Sequence, residues 1–252
     1  MIVALGSVRG APGVSSWAML LAAGWPVDNA LGRVVLEADV AGGVAGARYA
    51  VGVQPGAQAL VARVRQAGDP SDALETAGRR LADGAWLVPG PETGEAALRL
   101  WSADRAAGAV AAVLAVDRQR VWLCDLGRVT PGSPTAPLVR EASLALLFCR
   151  DQPADVVQIP ARVAALREIT AEVAVVVVGN PTYRASELAE FFGVRQAWVV
   201  PAAPDVVELS GQVWTSRAAR RSPVWRAAVS LAAAVAEPVM YRVSLGPEAG
   251  RA

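Results

Sequence analysis

Lysine and histidine are both missing from this chain: all 24 basic residues among its 252 are arginine. Without histidine a His-based catalytic triad is excluded, and with only two cysteines a zinc site is nearly so. Cys124 and Cys149 each end an apolar, strand-like run, which is where reduced core thiols of a cytoplasmic protein sit. Nothing at the amino terminus has the charged, then apolar, then small-residue order of an export signal. No apolar stretch reaches the roughly 20 charge-free residues that a membrane-spanning helix needs. A net charge of +1 argues against a strongly electrostatic nucleic-acid binder and leaves only local patches to consider.

The composition is 54% hydrophobic, which suits a sheet covered on both faces by helices. Short β-rich runs alternate with helical patterns, as in a parallel α/β sheet. Strands are predicted at 1–5, 33–38, 85–88, 120–125, 143–149, 172–179 and 196–200. Helices are predicted at 15–24, 56–67, 71–83, 93–115, 153–168, 184–192, 204–210 and 222–236, where apolar residues recur every three or four positions. Residues 127–137, rich in Gly, Pro, Ser and Thr, read as a mobile loop. No repeat or long linker divides the chain, so one domain over 1–236 is expected, followed by a tail, 237–252. Within that tail Met240 to Leu245 alternates well enough for one edge strand. The eight tryptophans are dispersed and read as core and interface anchors.

The segment Gly6-Ser7-Val8-Arg9-Gly10-Ala11-Pro12-Gly13-Val14-Ser15-Ser16 follows the apolar run Ile2 to Leu5 and precedes the helical run Trp17 to Ala23. That is the setting of a Walker A loop, whose backbone N–H groups wrap phosphates while a lysine meets the β/γ oxygens and a hydroxyl meets Mg²⁺. Here the lysine position holds Val14, which has no donor. A nucleotide loses there a charge-assisted hydrogen bond worth roughly 1.5–3 kcal/mol. Phosphoryl transfer suffers more, because it depends on neutralising charge that develops on the γ-phosphoryl group. The helix start after Gly13 still offers free N–H groups, Ser15 keeps the metal hydroxyl, and Pro12 is tolerated in such a turn.

Two further stretches complete a pattern. Val34 to Gly43 contains Glu37 and Asp39 at a strand end, and Val121 to Gly127 carries Asp125 at another. With the loop they resemble the ParA/MinD family of deviant-Walker P-loop ATPases, in order and spacing over most of residues 1–236. The family's Lys-Gly-Gly-x-Gly-Lys-Thr-Thr falls on Arg9, Gly10, Ala11, Pro12, Gly13, Val14, Ser15 and Ser16. The resemblance implies a three-layer α/β/α sandwich with a mostly parallel central sheet, and a nucleotide site for ATP or ADP with Mg²⁺. It implies that Arg9 crosses to a partner's nucleotide in a sandwich homodimer, that Asp39 orients the attacking water, and that Ser15 and Asp125 hold the metal. Glu37 replaces the first carboxylate of the family's Asp-x-Asp. Asn180, Pro201 and Asp205 fall where the family contacts the base.

Each element alone also has a plain structural reading. A Gly-rich turn permits positive φ, and a strand-ending Asp commonly caps a turn or helix. Their co-occurrence at the carboxyl ends of neighbouring strands favours a site. Loops lacking the in-loop lysine resemble those of TadZ/CpaE-like members, which implies a positioning or scaffolding factor for pilus or secretion machinery with weak or no hydrolysis. The alternative is an active partitioning ATPase that binds DNA as an ATP-dependent dimer through Arg217, Arg220, Arg221 and Arg226. For that cluster a solvated helix end, DNA phosphate and an acidic protein partner all remain open. No MinD-type cationic membrane helix is expected after Glu237-Pro238. The Arg-only, Ala-rich composition points to a high-GC bacterium, an actinobacterial one among them.

Overall fold

Along strand β1 (Ile2–Ser7) Ile2 and Ala4 turn to one apolar cluster while Val3 and Leu5 turn to another, all four almost wholly enclosed. The same alternation holds in β2 (Gly32–Glu37) and β5 (Arg120–Arg128), where Leu36 and Cys124 face the first cluster and Val35 and Leu123 the second. Side chains of a strand leave on opposite faces with a period of two, so strands apolar at every position must be covered twice. The computed structural model describes residues 1–9, 12–26, 31–67, 69–103, 105–202 and 219–244.

Those strands join β3 (Arg79–Arg80), β4 (Trp86–Val88), β6 (Leu144–Arg150), β7 (Val173–Val178) and β8 (Ala197–Val200) in an eight-stranded sheet of order β3-β4-β2-β5-β1-β6-β7-β8. Every pairing is parallel except β3 with β4. One face is covered by α3 (Ala57–Ala67), α4 (Pro70–Ala77), α5 (Gly94–Ser102), α6 (Ala106–Val116), α7 (Ala136–Arg140), α8 (Pro153–Val156), α9 (Ile159–Arg167) and α10 (Ala185–Phe192). The other carries α1 (Val14–Gly24), α2 (Ala45–Arg48) and α11 (Pro223–Ser244). This is the three-layer α/β/α sandwich with a mostly parallel central sheet expected from the sequence.

Trp17, Trp25 and Trp122 are fully buried. The Trp122 indole N–H donates to Asp117 Oδ2 at 2.9 Å, which satisfies its one donor inside the core. Cys124 and Cys149 are free and buried, and burial pushes each thiol up to about 12, so neither is a thiolate at neutral pH.

Several boundaries differ from the sequence-based expectation. The helix foreseen at 71–83 ends at Ala77, and Arg79–Arg80 pairs with β4 as a two-residue edge strand too short to show any hydrophobic period. The helix foreseen at 93–115 divides because Ala103 is extended and Arg105 adopts φ 57°, although neither Gly nor Pro marks the break. The one at 153–168 divides at Val157-Gln158, with Pro160 in the first turn of α9. Within 127–137, read as a mobile loop, β5 reaches Arg128, Ser133 and Thr135 hydroxyls bond at 2.9 Å, Thr135 is fully buried, and α7 begins at Ala136. The edge strand foreseen from Met240 is replaced by helix, since α11 runs on through Ser244. The helix foreseen at 204–210 lies outside the described residues.

Candidate functional site

Strand register assembles the site. In neighbouring β1, β5 and β2, Asp125 stands opposite both Leu5 and Glu37, so the loop after β1 emerges beside both acidic strand ends. Ligands of open α/β sheets gather at such carboxyl ends. Gly13, at φ 84°, makes the turn into α1 in a conformation that suits glycine, and the Trp17 N–H donates to its carbonyl at 2.9 Å. A cavity of about 970 Å³ opens there, lined among others by Pro12 to Ser16 of the loop, Asp39, Arg48, Arg128, Ser7, Thr130 and Ser133.

Val14 lines that cavity but, unlike a lysine, brings it no donor. It is 5% exposed and belongs to the apolar cluster of Trp17 and Phe148. Asp125 is 1% exposed and Oδ1 accepts the Gly127 N–H at 3.0 Å. Its Oδ2 is buried and has no hydrogen-bond partner among the described residues, although the Ser15 hydroxyl faces the carboxyl and favours its ionised form. Burial, with the nearby charges of Glu37 and Asp39 adding to it, pushes Asp125 up to about 7. A half-buried hydroxyl beside an orphaned carboxylate oxygen fits a hard divalent cation such as Mg²⁺. For the metal and the phosphate-binding turn the residues fit; for the in-loop cation they do not.

Asp39 Oδ1 accepts the Ala41 N–H at 2.8 Å, and burial raises its pKa against the opposing pull of that bond and of Arg128. Its carboxylate lies on the backbone of Gly127, φ 59°, where any Cβ would overlap it. Gly127→Ala is therefore expected to displace Asp39 and to cost more than about 2 kcal/mol, the left-handed backbone alone accounting for about 1–2. A fall in Tm of at least about 5 °C would register it, and an unchanged melt would contradict this packing.

Glu37, read from the sequence as a replaced site carboxylate, is 2% exposed and committed to backbone. Oε1 accepts the Val44 and Ala45 N–H groups, each at 2.8 Å, and Oε2 accepts that of Gly90 at 3.0 Å. It thus pins the start of α2 and the loop after β4. Arg48 at the end of α2 donates from Nη1 to Ser16 Oγ at 3.1 Å.

The other expected site residues divide. Arg9 is half exposed, with Nε 3.8 Å from Asp155 of its own chain, whose carboxylate already receives Arg150 Nε at 2.7 Å. Arg150 first, and Arg9 last, hold the Asp155 carboxyl below its ordinary value. Asn180 and Pro201 follow β7 and β8 and line no part of the cavity; the Asn180 N–H donates to Asp151 Oδ2 at 2.8 Å. Gly10, Ala11, Asp205 and Arg217 lie outside the described residues. Arg220, Arg221 and Arg226 are exposed around the entry to α11. Among the described residues no helix is long and apolar enough to cross a membrane. Arg48 and Arg128, which line the cavity, were not legible as site residues, since no motif flags them.

Comparison with protein-family models and with curated proteins finds no match. Solved structures match over nearly the whole chain. A ParA family ATPase from Chlorobium tepidum aligns with TM-score 0.73 and 15% identity, over 92% of this chain and 97% of that one. MinD from Pyrococcus horikoshii, complexed with Mg-ADP, gives TM-score 0.66 and 15% identity over 93% and 96%. A variant of McdA from Cyanothece in complex with ATP gives 0.67 and 11% over 94% and 96%. The fold is therefore that of the ParA/MinD P-loop ATPases.

Proposed function

We propose that this chain is a ParA/MinD-like positioning or scaffolding factor that holds ATP or ADP with Mg²⁺ in the β1–α1 cradle and hydrolyses it slowly or not at all. The observation that carries this is Val14, whose side chain is part of the core where the phosphate-binding cation would stand. Nucleotide binding rests on the free N–H groups at the start of α1 and on Ser15 and Asp125, which would hold the metal. A bound Mg²⁺ neutralises phosphate charge. Asp39 is placed by Ala41 and Gly127 beside the cavity, but hydrolysis also needs a cation at the loop position that Val14 holds, where it would follow the charge developing on the γ-phosphoryl group. The nucleotides named for the Pyrococcus MinD and the Cyanothece McdA variant support the choice of ligand.

The machinery served, a pilus or secretion system, is inferred from the resemblance to TadZ/CpaE-like proteins. Arg9 supports a homodimer: Asp155 is already held by Arg150, and the long, half-exposed contact to Arg9 is worth at most about 1 kcal/mol, so Arg9 is free to change partners. Calorimetric titration with ATP, ADP and Mg²⁺, paired with a phosphate-release assay, tests the reading. Saturable binding with release at the uncatalysed baseline is expected; sustained turnover at the pace of intact relatives would overturn it.

Retention of Asp39, Asp125 and the exposed Arg220, Arg221 and Arg226 supports a second reading, a partitioning ATPase that binds DNA as an ATP-dependent dimer. Size-exclusion chromatography separates the two. Under the scaffold reading Asp39→Ala leaves the oligomeric state unchanged, with or without ATP, whereas under the second it traps an ATP-bound dimer.

A further inference from the structure

We propose that Arg48 takes the place of the cation missing from the phosphate loop and contacts the phosphates of the bound nucleotide. The inference rests on the nucleotide-cradle reading above and deepens it.

Arg48 is half-buried and lines the same cavity as Gly13, Ser15 and Ser16. Its Nη1 is anchored on Ser16 Oγ at 3.1 Å, two residues beyond Val14 and on the first turn of α1. A guanidinium carries five N–H donors in a fixed fork, so that single bond orients the group and leaves donors for phosphate oxygens. No carboxylate pairs with Arg48 among the described residues. Its charge is therefore not spent within the protein. Arg128, the other arginine of the cavity wall, is exposed and its charge acts on Asp39, so it is the weaker candidate.

The backbone that delivers Arg48 is fixed by an acidic residue of the site. Glu37 Oε1 accepts the N–H groups of Val44 and Ala45, at the start of the four-residue helix that Arg48 ends. An aspartate at position 37 is one methylene shorter and would not reach both groups from the same strand end. Loss of the in-loop lysine and possession of Glu37 are thus linked: the longer carboxylate holds the helix that supplies the substitute charge. Glu37 is here a positioning residue.

Calorimetry with ATP–Mg²⁺, ADP–Mg²⁺ and AMP on the full chain tests this. Arg48→Ala is expected to weaken ATP binding by about ten- to a hundredfold, the span of one charge-assisted contact, with little change for AMP. Arg48→Lys should recover most of the loss, and Arg162→Ala, on α9 of the layer opposite α2, should keep the wild-type value. Glu37→Asp should weaken ATP binding alone but add little on top of Arg48→Ala, as two residues acting through one contact do. If the alanine variant melts early, Arg48→Gln replaces it. Wild-type affinity in Arg48→Ala overturns the role of Arg48 and leaves the cradle standing. Absence of any nucleotide binding by the wild type removes the cradle itself, and this inference with it.

Discussion

Replacing Glu37 by alanine is expected to lower Tm by about 10–20 °C. The wild-type carboxylate accepts three backbone N–H groups, those of Val44, Ala45 and Gly90, in a place that is 2% exposed. Each donor left unpaired out of water costs about 1–3 kcal/mol, so the three together come to on the order of 5 kcal/mol. That is a large share of the roughly 5–15 kcal/mol by which domains are stable. Glu37→Gln separates charge from geometry. Its carbonyl can still accept from Val44 and Ala45, but its NH₂ meets the Gly90 N–H donor to donor, so an intermediate loss is expected. Thermal denaturation followed by circular dichroism measures both. A shift of under about 3 °C for the alanine variant would mean that water replaces the clamp at no cost.

The second large effect is a pH dependence centred on Asp125. Its carboxyl is pushed from an ordinary value of 3.8 up to about 7, burial being the main cause. In the unfolded chain it ionises near 3.8, whereas the folded state keeps the proton up to about 7. Between those values the native state binds more protons than the unfolded one, so stability falls as pH rises through this window and stays lower above it. Three pK units at about 1.4 kcal/mol each put the change on the order of 4 kcal/mol. In Asp125→Asn this slope is absent. The amide brings its own constant cost, so the readout is the difference in Tm between variant and wild type, which should move in favour of the variant by about 8–16 °C from pH 4 to pH 8. A difference that stays flat across that range would show that Asp125 is ionised in the folded protein throughout. Added Mg²⁺ should narrow the gap at pH 8 for the wild type alone.

Both effects come from residues whose position was legible in the sequence and whose role was only half legible. The strands could be read because each central one is a short, continuously apolar run: Val173 to Val178 has no polar residue, and all six are buried. The loop could be read because Gly13 and the flanking strand and helix patterns are local. Glu37 was different. Its chemistry is set by how far one extra methylene carries a carboxylate toward Val44, Ala45 and Gly90, and the last of these is 53 residues away. Arg48 was invisible for the same reason, since its meeting with Ser16 spans 32 residues and depends on where α2 lies. Local patterns likewise failed at Arg105, where a non-glycine residue takes a left-handed φ of 57° that tertiary packing must impose.

The two-residue strand β3 has a consequence for how copies of this chain can meet. An unpaired sheet margin is a template on which other chains polymerise, and proteins blunt it with brevity and charge. Here the margin beyond β4 is two arginines running antiparallel to their neighbour, one of them exposed. That border offers too few rungs for a foreign strand to climb and repels its own duplicate. Growth of the sheet from molecule to molecule is closed on this side, and any strand-to-strand contact between copies is left to the opposite margin, β8.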